Sequence, residues 1–202
     1  MAAILPTKGN LMAAKRSRAL ASTGYELMDR KRNILIREMM GLMDAAKTVQ
    51  AQIDTVFAEA YASLQVANIR MGICDRIAEG VEVDNTVELQ YRSVMGVEIP
   101  HIPGTVPPPK PEYGFVHTGS ALDECYIKFH EVKKLVRQLA EVETSIYRLA
   151  EAIKKTQKRA NALQNIVIPN FDTTIRFITE ALEEKEREEF VRLKVINRTA
   201  AR

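Results

Sequence analysis

The sequence predicts an all-α dominated fold, a long antiparallel two-helix coiled coil with a small central β-hairpin. Two observations lead there. The first is where the helix breakers fall: six of the 8 Pro lie between Pro100 and Pro111, and Gly80, Gly96, Gly104, Gly114 and Gly119 fall in the same central part of the chain. No Pro occurs from Lys8 to Ala78, and Pro169 is the only one from Ser120 to Arg202. Pro and Gly mark turns and helix ends, so the 202-residue chain divides into a helix over 1–78, a central segment over 79–119 and a second helix over 120–202. The second observation is a 3.5-residue apolar repeat along both arms, the sign of a left-handed coiled coil.

The first arm carries the repeat for ten heptads. Positions a run Leu11, Arg18, Tyr25, Arg32, Met39, Ala46, Ile53, Ala60, Ala67, Cys74. Positions d run Ala14, Ala21, Met28, Leu35, Leu42, Val49, Val56, Ser63, Arg70, Ile77. Only Arg18, Arg32, Ser63 and Arg70 are not apolar. Long basic side chains at such positions snorkel and fix register, which is the reading for Arg32 and Arg70. Arg18, near the basic end, is also open to a partner.

The central segment changes period. Val87, Leu89 and Tyr91 alternate with Glu88, Gln90 and Arg92, and Val97 and Ile99 flank Glu98, which is strand patterning within Thr86 to Ile99. A Pro-rich loop follows from Ile102 to Pro111, and Tyr113 to His117 is the candidate partner strand. The hairpin is expected at the far end of the rod.

The second arm holds the repeat through Leu122, Cys125, Phe129, Val132, Val136, Leu139, Glu143, Ile146, Ala150 and Ile153. It then slips to steps of four at Leu163, Val167, Phe171 and Ile175, a stutter that unwinds the supercoil locally. Pro169 lies inside it and removes a backbone donor, which predicts a bend. The tail from Leu182 to Phe190 is highly charged, with Phe190, Leu193 and Ile196 on one apolar edge. Helices of about 8–78 and 120–196, closing on each other in one chain, make a rod on the order of 105–115 Å long. Turning near 78 and 120 places Cys74 opposite about position 124, beside Cys125.

Charge and composition bound the function. Hydrophobic residues make up 46 % and charged residues 27 %, the balance of a soluble folded chain. No stretch approaches the length of a membrane span, and Met1 to Leu11 lacks the apolar core of a signal peptide. Two Cys fit a reducing cytosol. The net charge of +3 is small, but residues 1–35 carry +5 and 154–202 carry +4, against −5 over 36–121. The paired termini therefore form a basic end, suited to an acidic partner. His101, His117 and His130 match no metal or triad spacing, no Cys-x-x-Cys or phosphate loop occurs, and no catalytic, metal or cofactor site is expected. Cys74 and Cys125 read as small apolar core residues.

A second apolar stripe stands off the seam: Phe57, Tyr61, Leu64 and Met71, with Leu135, Val142 and Leu149 on the other arm. The expected register sets 57–71 beside about 127–141. Either the hairpin folds over this stripe or another protein covers it.

Both ends of the chain carry a family resemblance. Pro6-Thr7-Lys8 with Leu11 leads to Gly24-Tyr25-Glu26-Leu27 and Asp29-Arg30-Lys31-Arg32. Late in the chain, Arg159 to Leu163 leads to Ile168-Pro169, Thr174-Ile175, Leu182 to Arg187, Phe190 and Arg192-Leu193-Lys194. Nearly the whole chain resembles the D subunit of the V-type/A-type rotary ATPases, with a variable middle and a length nearer the bacterial and archaeal members. The resemblance implies a non-catalytic central-stalk rotor without cofactor, cytoplasmic and peripheral to the membrane. Its implied partners are the catalytic A and B subunits, the small F subunit of the stalk and a funnel-shaped subunit seated on the membrane ring. Lys8, Lys15, Arg16, Arg18, Arg192 and Lys194 are then the expected contacts with the catalytic hexamer. Phe57, Tyr61, Leu64, Met71, Leu135 and Val142 are those with the small stalk protein. A cytosolic coiled-coil scaffold or holdase chaperone is the alternative from another class. A nucleic-acid-binding rod is a further one, disfavoured because the basic end has few aromatics for stacking.

Overall fold

The structure, a computed structural model, describes residues 5–81, 87–104, 106–110, 113–114, 116 and 118–200. Helix α1 spans Lys8–Met71. Thr7 caps it: the Asn10 backbone N–H donates to Thr7 Oγ1 at 3.2 Å, satisfying one of the donors a helix start leaves free. The helix stops seven residues short of the expected 78. Gly72 adopts φ +85° and its N–H closes on the Asn68 carbonyl at 2.9 Å, a left-handed C-terminal cap. A single-turn α2 follows over Asp75–Ala78. Strands β1 (Gln90–Val94) and β2 (Val97–His101) form the hairpin, and α3 spans Ser120–Ala162. A π-helical turn occupies Leu163–Val167, and α4 runs over Ile168–Ala200. The chain separates into a terminal unit, residues 1–33 with 154–202, and a central unit, residues 34–153.

The α1 seam follows the heptad reading. Leu35, Ile53, Ala60, Ser63, Ala67 and Cys74 are buried, most of the remaining seam positions are half-buried, and only Arg18 and Arg70 are exposed. The buried Ser63 hydroxyl is satisfied by the Ala60 carbonyl at 2.8 Å. On α3 three of the ten expected seam positions need correction. Cys125 and Val132 are buried and Leu139, Ile146 and Ile153 half-buried, as expected, but Val136, Glu143 and Ala150 are exposed. Their places are taken by Leu135 and Val142, half-buried, and by Leu149, which is 0 % exposed. The heptad count sets these three on a stripe off the seam, whereas they continue the inward line of a 3.5-residue repeat through Cys125 and Val132.

The register is slipped as well. In the central unit Tyr61 meets Phe129 and Gly119 meets Met71; in the terminal unit Arg32 meets Gln157 and Arg18 meets Asp172. These pairs are offset by about two helical turns from the expected register. The cause is the early end of α1, since helices that turn at 71 and 120 align differently from helices that turn at 78 and 120. Cys74 still reaches Cys125, because the chain folds back after Gly72. Burial pushes the Cys125 thiol up, its bond to the Ser63 hydroxyl pulls the other way, and Cys74 adds to the rise. Both thiols are free and buried.

The hairpin also departs from expectation. Its strands pair antiparallel with each other, Arg92 opposite Ile99 and Val94 opposite Val97, and among the described residues of the expected partner strand none is in a strand. Met95 and Gly96, at φ 51° and 74°, make the two-residue reversal that suits strand twist. Tyr113 instead packs beside Cys74, Ala121 and Leu122, and its hydroxyl donates to Asp123 Oδ1 at 2.5 Å. Phe115 and His117 of the expected strand, and Thr86 of the first, lie outside the described residues. The hairpin does not sit at the α1–α3 turn. Ile99 packs with Leu35 and Leu149, which by helical rise lie about 40–55 Å along the two helices from Met71 and Ser120.

The stutter takes the form of the π turn. The Ile168 N–H bonds the Leu163 carbonyl, five residues back, just before Pro169, whose missing N–H and ring disfavour a regular α turn. The backbone of Gly24 faces this turn, with Leu163 Cδ1 at 3.9 Å from the position a Cβ would take.

Candidate interaction surfaces

The terminal unit is basic and the central unit acidic. Residues 1–33 with 154–202 hold 18 basic and 9 acidic residues; residues 34–153 hold 11 and 17. The six expected basic contacts all lie in the terminal unit and are exposed. Three of them already have carboxylate neighbours. Lys8 lies 3.1 Å from Glu186, Arg18 Nε donates to Asp172 at 3.0 Å, and Arg192 lies 3.5 Å from Glu188. Lys15, Arg16 and Lys194 are exposed without an ion pair among the described residues. The seam arginine Arg32 differs from this set: half-buried, it donates to Gln157 Oε1 at 2.9 Å and pairs with Asp29 at 2.5 Å, which ties α1 to α3.

The end of α4 stands out in the same unit. Every residue from Glu183 to Thr199 is exposed, including Phe190 at 68 %, Val191, Leu193, Val195 and Ile196. The Lys8–Glu186 pair marks where α1 begins beside it. The remainder is an amphipathic helix with no cover from the described residues of its own unit, and clustered exposed apolar side chains of this size mark interaction sites.

In the central unit the residues expected to meet the small stalk protein separate into two groups. Phe57 stacks on Tyr61 with ring centroids 5.8 Å apart, and Tyr61 meets Phe129 edge-on at 5.7 Å. Tyr61 stays half exposed, while Phe57 and Leu64 are half-buried. Met71 sits at the helix end, its Sδ accepting the Gly119 N–H at 3.1 Å and its side chain packing on the Ala67–Leu122 cluster. Val142 lies elsewhere, while Leu135 is half-buried on α3. Val142 lines a cavity beneath the hairpin together with Leu42, Ile99 and Pro100. The sequence reading missed Ile69 and Ile73, 83 % and 80 % exposed beside the α1 terminus. Their signal is Gly72: once a cap is placed there, Ile73 leaves the helix.

Among the described residues no three His, Cys, Asp or Glu side chains gather as metal ligands. No helix of the described residues is long and apolar enough to cross a membrane. What the surfaces offer is protein contact, a basic terminal unit with an uncovered apolar helix and an acidic central unit with an aromatic stripe.

Comparison with known proteins bears on what such surfaces serve. Residues 10–198 match the family described as the D subunit of ATP synthase. The V-type ATP synthase D subunit of Thermotoga neapolitana is 42 % identical over 201 residues, covering 98 % of this chain and 99 % of that protein. The A-type ATP synthase D subunit of Pyrococcus furiosus is 38 % identical over 198 residues, covering 96 % and 92 %. That of Methanobrevibacter smithii is 38 % identical over 206 residues, covering 97 % and 87 %. A likeness that runs from the capped start of α1 to the uncovered end of α4 takes in both units, and the chain belongs to the D-subunit family of V-type and A-type ATP synthases.

Proposed function

We propose that the protein is the non-catalytic central shaft of a V-type/A-type ATPase or ATP synthase, carrying torque between a hexamer of catalytic A and B subunits and a membrane ion-translocating ring. The observation that supports this most is the end of α4, a helix with Phe190, Leu193 and Ile196 exposed in a basic unit, which suits a protein-lined bore. In this reading Lys8, Lys15, Arg16, Arg18, Arg192 and Lys194 face the hexamer. The small F subunit sits on the Phe57–Tyr61–Leu64 stripe near Met71, and a funnel-shaped subunit joins the shaft to the ring. Leu135 and Val142, half-buried on the inner line of α3, contribute to that docking site by shaping the helix pair. The shaft works at the cytoplasmic face, peripheral to the membrane.

Two substitution sets test the assignment in reconstitution with the A, B and F subunits. Reversing the charge of Lys15, Arg16 and Lys194 together weakens assembly with the hexamer at low salt and matters less at high salt, because exposed charges are screened. Changing Tyr61 and Leu64 together to Glu abolishes copurification of the F subunit while far-UV circular dichroism stays helical. Full binding of the F subunit by that double variant would remove the stripe from the assignment.

A further inference from the structure

The contacts that seat the hairpin on α1 and α3 differ in kind from those that hold the helices together. One apolar side chain goes deep: Ile99, 4 % exposed, packs on Leu35 and Leu149. Val94 and Val97, half-buried, pack against the same cluster and Pro100 is buried beside it; around this small apolar patch the seat is polar. Both oxygens of Glu141 face the hairpin, with His101 Nδ1 2.8 Å from one and the Ile102 N–H donating to the other at 3.1 Å. Arg137 donates to the Pro103 carbonyl at 2.8 Å. Arg148 donates to the Glu98 carbonyl at 3.2 Å and lies over the Tyr91 ring. Arg92 reaches back to Glu38 on α1 at 2.8 Å.

Beneath these contacts a cavity of about 370 Å³ remains between Leu42, Ile99 and Val142. The sheet has only two strands, and a two-stranded hairpin is marginal in water unless it packs on something. The helices below have their own seam, to which the hairpin adds only Ile99 and its neighbours. We infer that the β1–β2 hairpin is a detachable strap, which lifts from α1 and α3 as one piece while the helix pair beneath it stays closed. Lifting uncovers the sides of Leu35 and Leu149 that pack on Ile99, so the strap decides whether that apolar patch is presented. Ionic strength, or a partner that grips the exposed face of β1, shifts its position. The inference concerns the chain by itself and does not depend on the rotor reading.

Hydrogen exchange on the full chain, read by mass spectrometry, tests it. Peptides over 90–101 are compared with those over 35–42 and 141–149 between low and high salt. Expected is partial protection in the hairpin, weaker than in the helices by about tenfold or more, with salt widening the ratio as the charge-assisted contacts are screened. Glu141→Gln and Arg148→Gln each widen it by about another tenfold, the scale of losing a hydrogen bond to a charged group, and leave helix protection unchanged. One shared rate for hairpin and helices at every salt would overturn the inference, because the hairpin would then open only on global unfolding. No hairpin protection at any salt would overturn it equally, because the strap would never be seated. Should Glu141→Gln lose its helical circular dichroism, Arg148→Gln and the salt series on the unsubstituted chain decide.

Discussion

The terminal and central units are built from the same two long stretches of helix, yet they hold themselves together differently. Of the buried residues among those described, only Thr156, Ala160 and Ile178 belong to the terminal unit; Leu35, Ile53, Ala67, Val132 and Leu149 are among the many in the central one. The central unit adds cover of its own, the hairpin over Leu35 and Leu149 and Tyr113 over the Cys74 cluster. The terminal unit relies on a narrow seam and on polar ties such as Arg32–Gln157 and Arg18–Asp172, and leaves its apolar residues from Phe190 to Ile196 exposed. One two-helix seam is thus left spare in one unit and thickened in the other.

The largest expected effect tests this contrast directly. Leu149→Ala empties a fully buried site and lowers the unfolding free energy by about 2–5 kcal/mol, whereas Leu193→Ala on the exposed helix changes it by less than about 0.5 kcal/mol. Urea unfolding followed by circular dichroism reads both, and similar costs at the two sites would erase the contrast. Gly72→Ala comes next. At φ +85° any Cβ is strained although the space is open, so the turn of the central unit loses about 1 kcal/mol or more.

Tyr113 sharpens the comparison through pH. Burial first, and then its bond to Asp123, raise its hydroxyl from 10.0 to about 12. The folded state therefore keeps a proton that the unfolded chain releases. The resulting stability is complete below pH 10 and is lost as pH rises through about 12. Tyr113→Phe removes that part of the alkaline loss, and melting temperatures across this range measure it. The smallest effect belongs to the terminal unit: Arg18→Ala costs about 0–1 kcal/mol, since its pair with Asp172 is exposed, and added salt shrinks even that.

The α1 seam is legible because a repeat held for ten heptads averages over its own exceptions. The end of α1 is not. Cys74 and Ile77 keep heptad spacing beyond Gly72, and periodicity carries no sign that one glycine has taken a left-handed cap. That miss moves the register and, with it, the level assigned to the aromatic stripe. On α3 the repeat offers two adjacent apolar lines, and Glu143 marks the wrong one. Leu135, Val142 and Leu149 have no such interruption, but choosing them requires knowing what they face. The hairpin turn at Met95–Gly96 lacks the usual Asn-Gly signal, so two strands read as one run. Where the hairpin docks depends on contacts between residues as distant as Ile99 and Leu35, beyond the reach of any local pattern.

The π turn at Leu163–Val167 behaves as a spacer in the phase of the helix. One residue added to a regular helix swings everything beyond it about 100° around the axis, and a turn that accommodates the extra residue cancels that swing. The faces presented by Phe171, Ile178 and Phe190 are therefore indexed to this turn and not to the heptads before it. Chimeras between relatives can exchange the segment after Val167 freely only if the turn travels with it. A junction that leaves the turn behind would deliver an intact helix with its apolar edge pointing the wrong way.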